Sequence, residues 1–120
     1  LPSIVLVEDD ASLSVAMERV LQAAGFHTSV FSSGEELLNH AAARDAACFL
    51  LDVHLPGMTG FELREALAQT AGDVPVIFMT AYDEPESRAS ARDSVFLVKP
   101  FAGRLLLDAI RRALLPKSQD

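Results

Sequence analysis

Four short apolar runs in this 120-residue chain each end in a residue able to do chemistry. Ile4-Val5-Leu6-Val7 leads into Glu8-Asp9-Asp10, residues 46–51 into Asp52, residues 74–79 into Thr80, and Val95-Phe96-Leu97-Val98 into Lys99-Pro100. If Glu8, Asp9 and Asp52 share one rim, each carboxylate pair at ~5 Å repels by on the order of 3 kcal/mol at an effective dielectric near 20. Lys99 alone cannot neutralise three negative charges. A hard divalent cation can, and an open all-oxygen site suits Mg²⁺, which keeps several waters and takes few carboxylates. Such an ion can hold phosphoryl oxygens against a carboxylate nucleophile. The chemistry indicated is formation of an aspartyl phosphate, with Lys99 stabilising the transferred charge and Thr80 donating to a phosphoryl oxygen.

Those residues can meet only if the elements before them are neighbouring parallel strands. The apolar runs are β-rich and read as strands covered on both faces. Between them lie helical patterns. Leu13, Met17, Val20, Leu21 and Ala24 recur at helical spacing, and Gly25 supplies the stop. Residues 26–31 alternate as a second strand, and Ser33 opens a helix through Leu37 and Leu38, with Glu36 placed for a capping box. Pro56-Gly57 marks a turn before a helix carrying Phe61, Leu63, Ala66 and Leu67. The last helix spans residues 102–115, with Leu105, Leu106, Ala109, Ile110, Ala113 and Leu114 facing inward and Pro116 ending it. Residues 84–92 should form the fourth helix, yet they offer no large apolar side chain, so it is expected to be short or irregular.

Five strands interleaved with helices imply an α/β fold, a parallel sheet with helices on both faces. Right-handed crossovers make the flavodoxin-like order 2-1-3-4-5 the natural choice, a (βα)5 three-layer sandwich. Ligands of such sheets bind outside the carboxyl ends of the strands, which is where the polar residues fall. Taken singly, Asp10 reads as a helix N-cap, Thr80 as a β-branched strand end, Lys99 as a solvated charge and Pro100 as a helix opener. Their coincidence on one rim favours the chemical reading.

Composition narrows the classes. One domain spanning 1–120 is half apolar, enough for a core without disulfides. The lone Cys48 sits in an apolar run and reads as a small buried hydrophobe, compatible with a reducing, cytoplasmic setting. The net charge of −7 argues against direct nucleic-acid binding. Arg104, Arg111, Arg112 and Lys117 read as a solvated helix face. No run approaches the ~18 apolar residues of a membrane span, and no secretory leader opens the sequence. His54, two residues past Asp52 with no second histidine nearby, reads as a rim side chain and not a zinc ligand. His27 and His40 read as surface or strand-edge residues.

With these residues in place, the sequence resembles the receiver-domain family of response regulators along essentially its whole length. The likeness rests on residues 4–10, on Leu51-Asp52-Val53-His54-Leu55-Pro56-Gly57-Met58-Thr59-Gly60, on Thr80-Ala81 and on Val98-Lys99-Pro100-Phe101. The resemblance implies that Asp52 is the phosphoacceptor. It implies that Asp9, Asp52 and the backbone carbonyl of His54 bind Mg²⁺, with Glu8 acting through a water. Lys99 would pair with the phosphoryl group beside a cis Lys99-Pro100 bond, Thr80 would move toward it, and Phe96 would fill the aromatic switch position. The implied phosphodonor is a sensor histidine kinase. The implied readout is an output domain or downstream protein, with this chain the N-terminal piece of a longer regulator. A homodimer formed on phosphorylation is compatible with the family pattern.

Three departures accompany the likeness. The stretch from Thr80 to Lys99 is a few residues short, Phe96 lacks a hydroxyl, and His54 and Tyr82 fill two positions beside the site. Three other classes use similar features. A flavodoxin-like FMN carrier needs a phosphate cradle where Glu8-Asp9-Asp10 would repel it. A Mg²⁺-dependent phosphohydrolase needs a general acid where His54 stands, and a pseudo-receiver would bind partners without phosphorylation.

Overall fold

The computed structural model describes residues 2–92 and 94–115. Pro116, expected to end the last helix, and Lys117 lie outside the described residues. Strands β1 (Ser3–Val7), β2 (His27–Phe31), β3 (Cys48–Asp52), β4 (Val76–Thr80) and β5 (Val95–Val98) form one sheet. Every pairing is parallel and the order is β2-β1-β3-β4-β5, the expected flavodoxin-like arrangement. The helices among the described residues are α1 (Ala11–Ala23), α2 (Gly34–Leu38), α3 (Ala42–Asp45), α4 (Gly60–Ala71), α5 (Pro85–Ala91) and α6 (Gly103–Leu114).

Because successive strand residues point to opposite faces, the continuous apolar strands split into two cores. Val5, Val7, Phe49, Leu51 and Phe78 pack with Leu37, Ala43, Leu63, Leu67 and Ala91 from the α2–α5 side. Ile4, Leu6, Cys48, Leu50, Ile77, Met79 and Leu97 pack with Met17 and Leu21 of α1 and Leu106, Ala109 and Ile110 of α6. Each fully buried Leu, Ile or Phe contributes about 1.5–3 kcal/mol, so the three central strands form the rigid part of the molecule. Cys48 is fully buried between them, and burial pushes its thiol pKa up to about 12.

Boundaries shift where turn chemistry intervenes. Asp10 caps α1, its carboxylate accepting from Leu13 N–H, and Gly25 takes φ 94° just past the helix end. Ser33 caps α2, but Glu36 does not close the reciprocal box; its carboxylate accepts from the hydroxyls of Ser32 and Ser33. The turn α3 was not anticipated: an alanine-rich stretch carries no periodicity to announce it, yet it seats Ala43 in the core. Strand β4 begins at Val76 and not Val74, since Pro75 has no N–H for the ladder; Pro75 C=O accepts from Phe49 instead.

Leu105, expected to face inward, is 51% exposed. The buried stripe of α6 runs through Leu106, Ala109 and Ile110, and Leu105 falls just off its edge. Pro100 does not open α6, which starts at Gly103 after the cap residue Ala102. The weak segment forms a helix of 7 residues, α5, that buries only Ser87 and Ala91.

Candidate functional site

The sheet order reverses direction between β1 and β3, and the crevice at their carboxyl ends is where such folds bind ligands. Val7 pairs with Leu51, so Glu8 and Asp9 leave β1 level with Asp52 at the end of β3. Glu8 N–H extends the ladder by donating to Phe31 C=O (3.0 Å), which fixes the point where the acidic pair begins. On the other side Thr80 pairs with Val98, and Lys99 N–H donates to Thr80 C=O at 2.7 Å. The Lys99-Pro100 peptide is cis.

These anchors bring the charged groups together. Lys99 Nζ donates to Glu8 Oε1 (2.6 Å) and to Asp52 Oδ2 (3.1 Å). The other oxygen of Asp52 accepts from His54 N–H at 3.1 Å, and Glu8 Oε2 accepts from Asp10 N–H at 3.2 Å. Glu8 and Asp52 are 2% and 5% exposed, whereas Asp9 faces solvent. Burial and the neighbouring Asp52 hold the Glu8 pKa above its ordinary value, although Lys99 and Asp10 N–H pull the other way. Burial works against the charged form of Lys99, but its contacts with Glu8 and Asp52 outweigh that and raise its pKa.

Glu8, Asp9 and Asp52 each offer an oxygen, all within 4.8 Å of one another. Three carboxylates thus face one ammonium, and an all-oxygen, partly open set of this kind fits a small hard divalent cation. Among the described residues this is the one group of His, Cys, Asp and Glu side chains with metal-holding geometry. The His54 side chain is no part of it. It is 51% exposed, meets Tyr82 edge-on at 5.4 Å between ring centroids, and lies 3.9 Å from Glu84. Thr80 is fully buried, and its Oγ1 accepts from Tyr82 N–H at 3.1 Å. Phe96 is half-buried on β5 beneath the Arg88 guanidinium, which sits 4.9 Å from its ring centroid.

The backbone of Asp52 is held from below by Gly60. Gly60 N–H donates to Val53 C=O at 2.9 Å, and a Cβ at Gly60 would collide with the Asp52 carbonyl oxygen and come within 3.3 Å of Val53 Cα. The obstacle is backbone, so it cannot rotate away. Gly60→Ala is expected to destabilise the protein by about 2 kcal/mol, in the range of overpacked cores. It should also weaken Mg²⁺ binding by shifting Asp52. Urea unfolding and a Mg²⁺ titration check this; wild-type values in both would mean that the loop yields without cost.

Two features of this neighbourhood escaped the sequence. Glu8 bonds Lys99 directly, a pairing that the repulsion among the acids could have suggested. Arg64 of α4 reaches the last carbonyls of α5, donating to Ser90 C=O (2.9 Å) and Ala91 C=O (3.2 Å) across more than twenty residues of chain, a contact no local pattern signals.

Comparison with known proteins bears on the family and the fold. Residues 4–111 match the family model for the response regulator receiver domain. The C4-dicarboxylate transport transcriptional regulatory protein DctD of Rhizobium meliloti is 36% identical over 115 residues, covering 93% of this chain and 25% of that protein. The response regulator protein TmoT of Ectopseudomonas mendocina is 34% identical, covering 92% of this chain and 52% of its own length. The chain thus spans about half or less of these curated relatives. A solved response regulator receiver protein from Burkholderia phymatum superposes with a TM-score of 0.80 at 36% identity, with 95% of each chain covered. By family match, sheet order and the acidic crevice alike, this chain belongs to the response regulator receiver domains.

Proposed function

We propose that Asp52 accepts a phosphoryl group from a sensor histidine kinase in a Mg²⁺-dependent reaction, and that this switches the domain to control an output in cytoplasmic two-component signalling. The observation that carries the proposal is the bridge from Lys99 Nζ to Glu8 and Asp52, in a crevice where three carboxylates meet. Glu8, Asp9 and Asp52, with the His54 carbonyl as a further donor, would hold the ion, Glu8 through a water. When bound, Mg²⁺ would supply positive charge to the site and neutralise charge on the transferring group.

The remaining work falls to the chain. His54 N–H and Lys99 Nζ each hold one oxygen of Asp52, which fixes the plane of the carboxylate. An Asp52 oxygen forms a bond to phosphorus while the phosphorus–nitrogen bond of the donor phosphohistidine breaks. The bonding pair stays on the imidazole nitrogen. Lys99 then turns from the carboxylates to the incoming phosphoryl oxygens, a charge-assisted bond. The Thr80 hydroxyl, which accepts from Tyr82 N–H, keeps its proton for donation to a phosphoryl oxygen. Movement of the Thr80 side chain is passed to Phe96 on β5, which pairs with Phe78 two residues before Thr80, and the absence of a hydroxyl on Phe96 makes any change there one of packing. The domain is therefore a switch, with no multiple-turnover substrate of its own. An output domain or downstream protein reads the change, and the phosphorylated form is open to pairing with a second copy.

Acetyl phosphate tests the proposal without the kinase. With Mg²⁺ it should add one phosphoryl group per chain, labile to hydroxylamine as an acyl phosphate is, and no label should form when the ion is chelated beforehand. Label that forms in the presence of the chelator, or that resists hydroxylamine, would refute it.

A further inference from the structure

We propose that Arg64 is a positioning residue, a clasp whose hold on α5 sets how readily the switch is thrown. Helix α5 has unusually little of its own to hold it. Its buried residues are Ser87 and Ala91, neither with a large apolar side chain, and its N-terminal cap position, Glu84, makes no side-chain capping bond. A helix attached so weakly would be expected to open locally before the rest of the fold.

What replaces the missing apolar grip is a pair of guanidinium groups. Arg64 comes from α4, its side chain only 16% exposed. Its two terminal nitrogens donate to Ser90 C=O and Ala91 C=O, the last turn of α5, where carbonyls lack partners within the helix. A cation at a helix C-terminus is also favoured by the peptide dipoles. The same guanidinium lies 5.1 Å from the ring centroid of Phe78 and 5.9 Å from that of Phe61. Phe78 is on β4, two residues before Thr80, so one planar group touches both the strand that ends in the site and the helix that follows it.

The second arginine secures the other side. Arg88, on α5 itself, covers the Phe96 ring and donates to both carboxylate oxygens of Asp83 in the β4–α5 connection. That ion pair is about half exposed and contributes little alone, being screened by solvent. The connection also holds Tyr82, whose N–H is bonded to Thr80. Motion of Thr80 toward a phosphoryl group therefore pulls on the start of α5, while Arg64 holds its end. Arginine serves the two carbonyls from separate nitrogens of one rigid planar fork, a spacing that the single nitrogen of an ammonium does not offer. The clasp resists the switched arrangement, and loosening it shifts the population toward that arrangement.

The test is hydrogen exchange on the whole chain, wild type against Arg64→Lys and Arg64→Met. Lysine keeps the charge without the fork; methionine keeps contact with Phe78 without any donor. Amides in the 84–92 stretch should exchange about tenfold faster in both variants, with β3 and β4 unchanged. Wild-type exchange in that stretch would overturn the clasp, and so would faster exchange spread equally through the sheet. The effect on the switch rests on the phosphoacceptor reading: labelling by acetyl phosphate should be about threefold faster or more in Arg64→Lys. An unchanged rate in a variant whose α5 has loosened would overturn the coupling. Absence of labelling in the wild type would instead count against the phosphoacceptor reading and leave the exchange result to judge the clasp.

Discussion

Asp52→Asn abolishes labelling by acetyl phosphate, at least about 10³-fold, and leaves the metal-free protein within about 1 kcal/mol of wild-type stability or above it. The amide has nearly the shape of the carboxylate, and its oxygen still accepts from His54 N–H. It is not a nucleophile toward phosphorus, and loss of a covalent nucleophile costs enzymes factors of this size or larger. Stability moves the other way because the change removes one of three crowded negative charges. Relief of one repulsion offsets loss of an ionic partner for Lys99, so the metal-free variant should unfold within about 1 kcal/mol of wild type or above it. Mass spectrometry after acetyl phosphate treatment and urea unfolding without Mg²⁺ read the two effects separately. Equal labelling of the variant would remove Asp52 from its role.

Lys99→Ala produces the largest combined loss. Truncation leaves Glu8 and Asp52, both buried, without the cation that now bonds each of them. Breaking a buried pair by removing one partner costs about 3–5 kcal/mol. Labelling should fall about 10²–10³-fold as well, the usual effect of deleting one donor aimed at a developing oxyanion. The stability deficit depends on pH with a definite sign. Glu8 already has a raised pKa, burial being the largest cause, and loss of Lys99 raises it further. A carboxyl with a raised folded pKa contributes stability that is full below its unfolded pKa and lost as pH rises through the folded value. The deficit of Lys99→Ala is therefore smallest in acid and grows toward neutrality, and Mg²⁺ narrows it at neutral pH. Urea unfolding across that range, with and without the ion, would expose a deficit of constant size, and with it an error in the assigned origin.

Much of this site was legible because parallel strands buried on both faces write themselves as unbroken apolar runs. The first polar residue after each run then falls at the carboxyl edge, which is how Glu8, Asp52, Thr80 and Lys99 stand out. Asp10 was legible as a cap for a local reason, since its carboxylate reaches an N–H three residues on. The failures were non-local or lacked a pattern. Leu105 has the side chain of a core residue, and only the rotation of α6 about its axis decides that it lies outside. The turn α3 is built from alanine, whose small side chain gives no periodic signal. The grip on α5 was invisible because Arg64 lies 26 residues from the carbonyl of Ser90. An arginine on an exposed-looking helix face carries no mark of such a partner.

The bond between Lys99 and Glu8 joins residues 91 positions apart. During synthesis, Glu8, Asp9 and Asp52 all leave the ribosome before the ammonium that balances two of them. A nascent chain therefore carries its acids unmatched until nearly the whole domain has been made, and its crevice cannot take the geometry described above. Closing so long a loop is slow compared with forming a hairpin or a single helix. The crevice is thus completed late in the making of each molecule, when the last strand is laid beside its neighbour.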